Sequence, residues 1–180
     1  MLKKVIGAVV ALVLLVGLPS FIYALTNNKL SIGYNKGYMP EQPIPYSHEL
    51  HAGQLKIDCK YCHTATEVSR HASVPSLNIC MNCHLNVNVR EEARPQIEKL
   101  QQAYMNNEPI KWEKVHLLPD HVKFNHAAHV RADKQCQECH GPIEKMPIVY
   151  QHSDLSMGWC VNCHRKPENN APVGCDTCHY

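Results

Sequence analysis

The sequence predicts a mostly irregular chain with short α-helices, preceded by one N-terminal transmembrane helix. Three observations lead there. Residues 5–25 run without a charge. The 180-residue chain carries only two Phe and two Trp, few for a packed protein core. One pattern, Cys-x-x-Cys-His, occurs five times and uses all ten cysteines.

The apolar run comes first. Its 21 residues are long enough to cross a hydrocarbon layer of about 30 Å as a helix. Lys3 and Lys4 before it predict a cytoplasmic N-terminus, with the rest of the chain outside. The competing reading is a cleaved signal peptide, but those have a shorter apolar region and a small-residue cleavage site. Here the best such site is Ile22-Tyr23-Ala24, whose first position is large, so a retained anchor over residues 1–25 is expected. Residues 26–45 follow as a linker with Gly33, Gly37, Pro40, Pro43 and Pro45.

The third segment, residues 46–180, holds the repeated pattern. Its copies are Cys59 and Cys62 with His63, Cys80 and Cys83 with His84, Cys136 and Cys139 with His140, Cys160 and Cys163 with His164, and Cys175 and Cys178 with His179. This is the attachment signature of c-type haem: two thiols add to the vinyl groups, and the adjacent His reaches the iron as proximal ligand. Zinc sites also use Cys pairs, but they join two pairs, or one pair and distant His, around one tetrahedral ion. An odd number of pairs, each followed by His, argues against zinc. Disulfides would leave the five histidines unexplained. Five covalent haem c groups are therefore expected. They leave roughly 31 residues per haem, so the cofactors supply the core and much of the chain is loop. Haem propionates outweigh the formal charge of +2, so the basic composition does not signal nucleic-acid binding.

Within this segment a short repeat recurs. Tyr46-Ser47-His48-Glu49-Leu50-His51 precedes Cys59, and Phe124-Asn125-His126-Ala127-Ala128-His129 precedes Cys136. Each repeat leads on to a second motif, at Cys80 or Cys160. The chain thus reads as two dihaem modules, 46–84 and 124–164, plus a terminal haem at 175–179. Between the modules, Ile97, Leu100 and Tyr104 share one helical face and Pro95 suits a first turn, which predicts a helix over 94–104.

Thirteen His are present, five of them proximal. In each His-x-x-His pair the two rings share one side of a helical turn, yet one iron has a single free axial position. Each pair should therefore serve two haems, which makes His48, His51, His126 and His129 distal ligands. For the fifth position the apolar neighbours of His116 favour it, with His71 and Met157 as alternatives and Met146 a weaker one. His121 and His152 stand in polar surroundings and read as solvated. The unpaired motif at Cys175 is expected at one end of the haem series.

These residues resemble known families. His-x-x-His ahead of Cys-x-x-Cys-His is similar to the class III multihaem cytochromes c. Residues 37–44, 80–84, 115–120, 124–130 and 157–160 resemble the pentahaem cytochrome subunit of alternative complex III. A quinone reductase complex of sulfate reducers carries a similar subunit. The resemblance implies a class III cytochrome c-like domain on the periplasmic side of a bacterial inner membrane, in a respiratory electron-transport complex. It implies integral membrane quinol-oxidising subunits, an iron–sulfur subunit resembling molybdopterin oxidoreductases, and a monohaem cytochrome or oxidase as acceptor.

Two functions compete on the residues. An electron-relay subunit, not catalytic alone, needs every iron closed by a second ligand. A multihaem oxyanion reductase needs one open iron with Arg, Lys or His beside it. The supply of His favours the relay, and no catalytic residue is singled out.

Overall fold

The computed structural model describes residues 2–26 and 35–180. The chain divides into two compact units, residues 1–35 and 36–180. Among the described residues no β-strand is formed.

The first unit is helical throughout its described part: α1 (Leu2–Leu12), a wide π-type turn (Val13–Gly17) and α2 (Leu18–Thr26). The wide turn precedes Pro19, which has no N–H to give. The Leu18 N–H reaches back five residues to Val13 O, and Ser20 Oγ donates to Val16 O at 2.6 Å. Over Leu2–Tyr23 the helix is long and apolar enough to cross a membrane, and none of it is buried within the protein.

The second unit is a set of short helices joined by long loops, as the small stock of large apolar residues predicts. Residues 27–34 of the expected linker lie outside the described residues. Residues 36–45, expected to belong to that linker, pack into this unit instead. Gly37 N donates to Gln151 O at 2.7 Å, and Gln151 N to Tyr38 O at 2.9 Å. Gly37 has φ +83°, a conformation open to glycine at little cost. Gln42 exchanges two hydrogen bonds with the backbone of Glu113, at 2.9 and 3.0 Å.

The helix predicted between the modules is α5 (Arg94–Met105), with Pro95 in its first turn. Its Leu100 meets Ile44 and Met81 in the main apolar cluster, with Leu77, Tyr104, Ile110 and Trp112 packed around them. Met81 lies on α4 (Leu77–His84), so α5 braces the helix that carries the second motif.

The other motif helices are brief. α3 (Cys59–Cys62) starts on Asp58, whose carboxylate accepts from Lys60 N at 2.7 Å. α7 (Cys136–His140) opens with a reciprocal cap between Gln135 and Glu138. In α8 (Met157–His164), Ser156 Oγ accepts from Trp159 N at 3.1 Å. The fifth motif forms only a 3₁₀ turn (Cys175–Thr177).

The two His-x-x-His segments dock across the modules. Glu49, next after His48, donates its N–H to Met146 O at 3.0 Å. Ala127, next after His126, donates to Ser69 O, also at 3.0 Å. Met146 and Ser69 each stand ten residues past the first cysteine of a module, Cys136 and Cys59 respectively.

Candidate metal centres

The five histidines expected as proximal ligands end or follow short helical turns, so their rings are placed by the turn that carries the two cysteines. Opposite each stands another ring. His48 faces His63 with ring centres 6.4 Å apart and planes 1° from parallel. His126 faces His140 at 6.4 Å and 9°. His51 and His84 are 6.1 Å apart at 55°, and His129 and His164 5.8 Å at 52°. His121 and His179 are 5.6 Å apart at 26°.

Two imidazoles on opposite faces of one metal ion, each bonded at about 2 Å with its ring centre about 1 Å farther out, stand about 6 Å apart. All five pairs have that separation. The hydrogen bonds fit as well. The Nδ1 atoms of His51, His63, His126, His129, His164 and His179 each lie 2.7 to 3.0 Å from a backbone carbonyl. A ring that donates from Nδ1 keeps Nε2 unprotonated and ready to bind metal. The donor sets are therefore suited to iron held between two imidazoles. Among the described residues no three of His, Cys, Asp or Glu gather as they would around a single tetrahedral ion, and no two cysteines are joined in a disulfide.

Burial keeps several of these rings neutral. It pushes His140 down to about 3, aided by His116 and His126 nearby. It pushes His48 down to about 4, aided by His63 and His51. His84 and His126 are lowered too, mainly by burial. The Cys139 thiol is pushed up to about 11, again mainly by burial. Burial thus holds that side chain in its neutral form.

His48, His51, His126 and His129 thus stand where a second axial ligand would, each pair reaching two different motifs. The aromatic residue two positions ahead supports both rings of its pair. Tyr46 stacks on His51 at 4.4 Å and meets His48 edge-on at 4.9 Å. Phe124 does the same to His129 at 4.4 Å and His126 at 4.8 Å.

His116 departs from expectation. Its ring centre is 4.4 Å from that of His140 and nearly perpendicular to it, too close for two ligands across one iron. Its Nε2 lies 3.1 Å from His140 Nδ1, so the nitrogen needed for a metal is occupied by a hydrogen bond. The ring opposite His179 belongs to His121, which reads as solvated from its polar neighbours in sequence. His179 Nδ1 donates to the carbonyl of that same His121 at 3.0 Å, and Lys123 N to Cys178 O at 2.8 Å, which clasps the fifth motif to residues 121–123. Four more side chains stand apart from the ring pairs. His71 and His152 are exposed, Met157 is 68% exposed, and Met146 is buried beneath the docked Glu49.

Neighbouring cysteines give the order of the motifs in space. Cys62 stands beside Cys80 and Cys83, Cys59 meets Cys136, Cys139 stands beside Cys160 and Cys163, and Cys160 beside Cys178. Tyr61 Oη accepts from Asn82 Nδ2 at 2.9 Å, joining the first two motifs again. By sequence number the motifs run second, first, third, fourth, fifth.

Comparison with known proteins places the chain among multihaem cytochromes c. Residues 122–180 match the family described as cytochrome c7 and related cytochrome c. The chain is 30% identical over 165 residues to the menaquinone reductase multiheme cytochrome c subunit of Nitratidesulfovibrio vulgaris, covering 77% of each protein.

Proposed function

Because the chain belongs to the multihaem cytochrome c family that includes this menaquinone reductase subunit, we propose that it is an electron-relay subunit of a membrane-bound quinone-reactive complex, holding five haem c groups. The single observation that carries this reading is that every proximal histidine has a second imidazole across from it. Bound haem c supplies a one-electron iron couple, and two nitrogen ligands leave it no open position for substrate. The protein's own work is positional. Ten cysteines fix the groups, five histidine pairs clamp them, and the shared turns His48–His51 and His126–His129 couple them two by two.

The relative's name supports an assembly of the menaquinone reductase type over the alternative complex III that the sequence resemblance suggests. The partners are membrane subunits that react with the quinone pool and a redox subunit or soluble cytochrome outside the membrane. The N-terminal helix anchors the chain in the bacterial inner membrane, with the haem domain on the periplasmic side. The order of the motifs supports an unbranched series with the Cys80 and Cys175 motifs as its two ends.

The test is extraction of the tagged full-length protein in detergent. We expect five haems per chain by pyridine haemochrome, a wholly low-spin ferric spectrum, and co-purifying membrane subunits. A high-spin haem that binds carbon monoxide stoichiometrically would replace the relay with the oxyanion-reductase reading. Release by salt alone would remove the anchor. Co-purification with an oxidase would favour the alternative complex III assembly.

A further inference from the structure

Six of the ten paired histidines give their Nδ1 hydrogen to a backbone carbonyl. Two others, His48 and His84, have a buried Nδ1 without a protein partner. Among the described residues only His140 meets a side chain there, Nε2 of His116 at 3.1 Å. No other ring pair among them combines such contact with a hydrogen bond between the rings.

We propose that His116 is a positioning residue for the third motif: it accepts the His140 Nδ1 hydrogen and so sets the reduction potential of that haem alone. The inference rests on the reading of His140 as a proximal ligand. An imidazole nitrogen is a stronger acceptor than an amide oxygen. Drawing on the Nδ1 hydrogen makes the ligand more electron-donating, favours ferric iron and lowers the potential. The contact is held from both sides. His140 closes α7, while His116 sits half-buried on the segment from Trp112, which the Leu100 cluster anchors. His63, the corresponding ligand of the first module, gives its hydrogen to Ser73 O at 2.7 Å. The two corresponding ligands thus donate to different acceptors, and the third motif carries the lower potential of the pair.

The test is a potentiometric titration of the full-length holoprotein, with electron paramagnetic resonance of the ferric haems, for the wild type, H116F and H116Q. In H116F one of the five one-electron components moves upward and one low-spin signal shifts, while the other four stay. H116Q, whose side-chain oxygen reaches the place of Nε2, returns that component toward the wild-type value. If H116F does not retain five haems, H116N serves instead, since its shorter side chain falls short of His140. Five haems with no component moved overturn the proposal. So does an equal shift in H116Q, which assigns the effect to packing. A wild-type haem count below five overturns the ligand reading as well, and so separates the two failures.

Discussion

The two segments read as dihaem modules, 46–84 and 124–164, solve one geometric problem on different backbones. In the first, His48 stands eleven residues before Cys59; in the second, His126 stands ten before Cys136. The second module winds its histidines on an ordinary helix, α6 (His126–Arg131). The first uses a π-type turn, Glu49–Gln54, which takes up one residue more per turn. The ring pairs nevertheless agree closely: 6.4 and 6.4 Å for the first histidines, 6.1 and 5.8 Å for the second. The placement of the rings is what the two modules share, and the turn absorbs the difference in length. The wide turn has its own demand. A side chain at Gly53 would collide with the Glu144 carbonyl of the other module.

The strongest way to break the comparison is to remove a distal ring. H48A and H126A should behave alike, each converting one haem to a high-spin form that binds carbon monoxide, read by optical and electron paramagnetic resonance spectra. Two high-spin haems in one variant and none in the other would show that the modules are not equivalent. The same spectra should show one high-spin haem in H121A and none in H116A, which separates axial from supporting histidine. Next in size is Gly141, immediately after His140. Its φ of +70° and ψ of −164° lie where side chains are not accommodated, and a Cβ would meet the His152 ring. G141A should lose about 1–3 kcal/mol in guanidinium unfolding, with no equivalent loss at Thr64, which follows His63 in the first module.

Acid should act on both modules with one sign. His48 in the first and His140 in the second resist protonation down to about 4 and about 3. The unfolded chain takes up these protons near its ordinary value of about 6.5. Between those limits the unfolded state binds more protons, so stability is full above about pH 6.5 and falls as pH drops toward about 3. Metal on the same rings adds to that sign. Denaturation midpoints measured across this range should fall steadily. The smallest effect is at the caps. Ser47 Oγ accepts from Leu50 N at 3.1 Å and Asn125 Oδ1 from Ala128 N at 3.2 Å. S47A and N125A should each lose about 1 kcal/mol, and a difference between them would measure how much the wide turn relies on its cap.

Much of this is legible in the sequence, because local patterns encode it. The i, i+3 histidines mark shared turns, and the period of Ile97, Leu100 and Tyr104 marks α5. The expectation for His116 follows from apolar neighbours, and the ring is indeed half-buried. Burial does not say which ring nitrogen faces which group, and that is set by His140, 24 residues away. His121 is hidden for a related reason. Its neighbours Pro119, Asp120 and Lys123 are polar or turn-forming, and the ring it faces lies 58 residues farther along the chain. Residues 36–45 read as linker because Gly and Pro dominate there, while their anchors at Glu113 and Gln151 are remote in sequence.

The docking of Glu49 on Met146 and of Ala127 on Ser69 has one further consequence. Each module offers the other the same donor and receives the same acceptor, and the matching cysteines Cys59 and Cys136 meet between them. Such reciprocity is the mark of an isologous contact, the kind made when two copies of one chain pair about a two-fold axis. Within one polypeptide, segments 46–84 and 124–164 thus meet as two copies of one unit would across such an axis. The Cys175 motif has no mate in this exchange, and so it distinguishes the second module from the first.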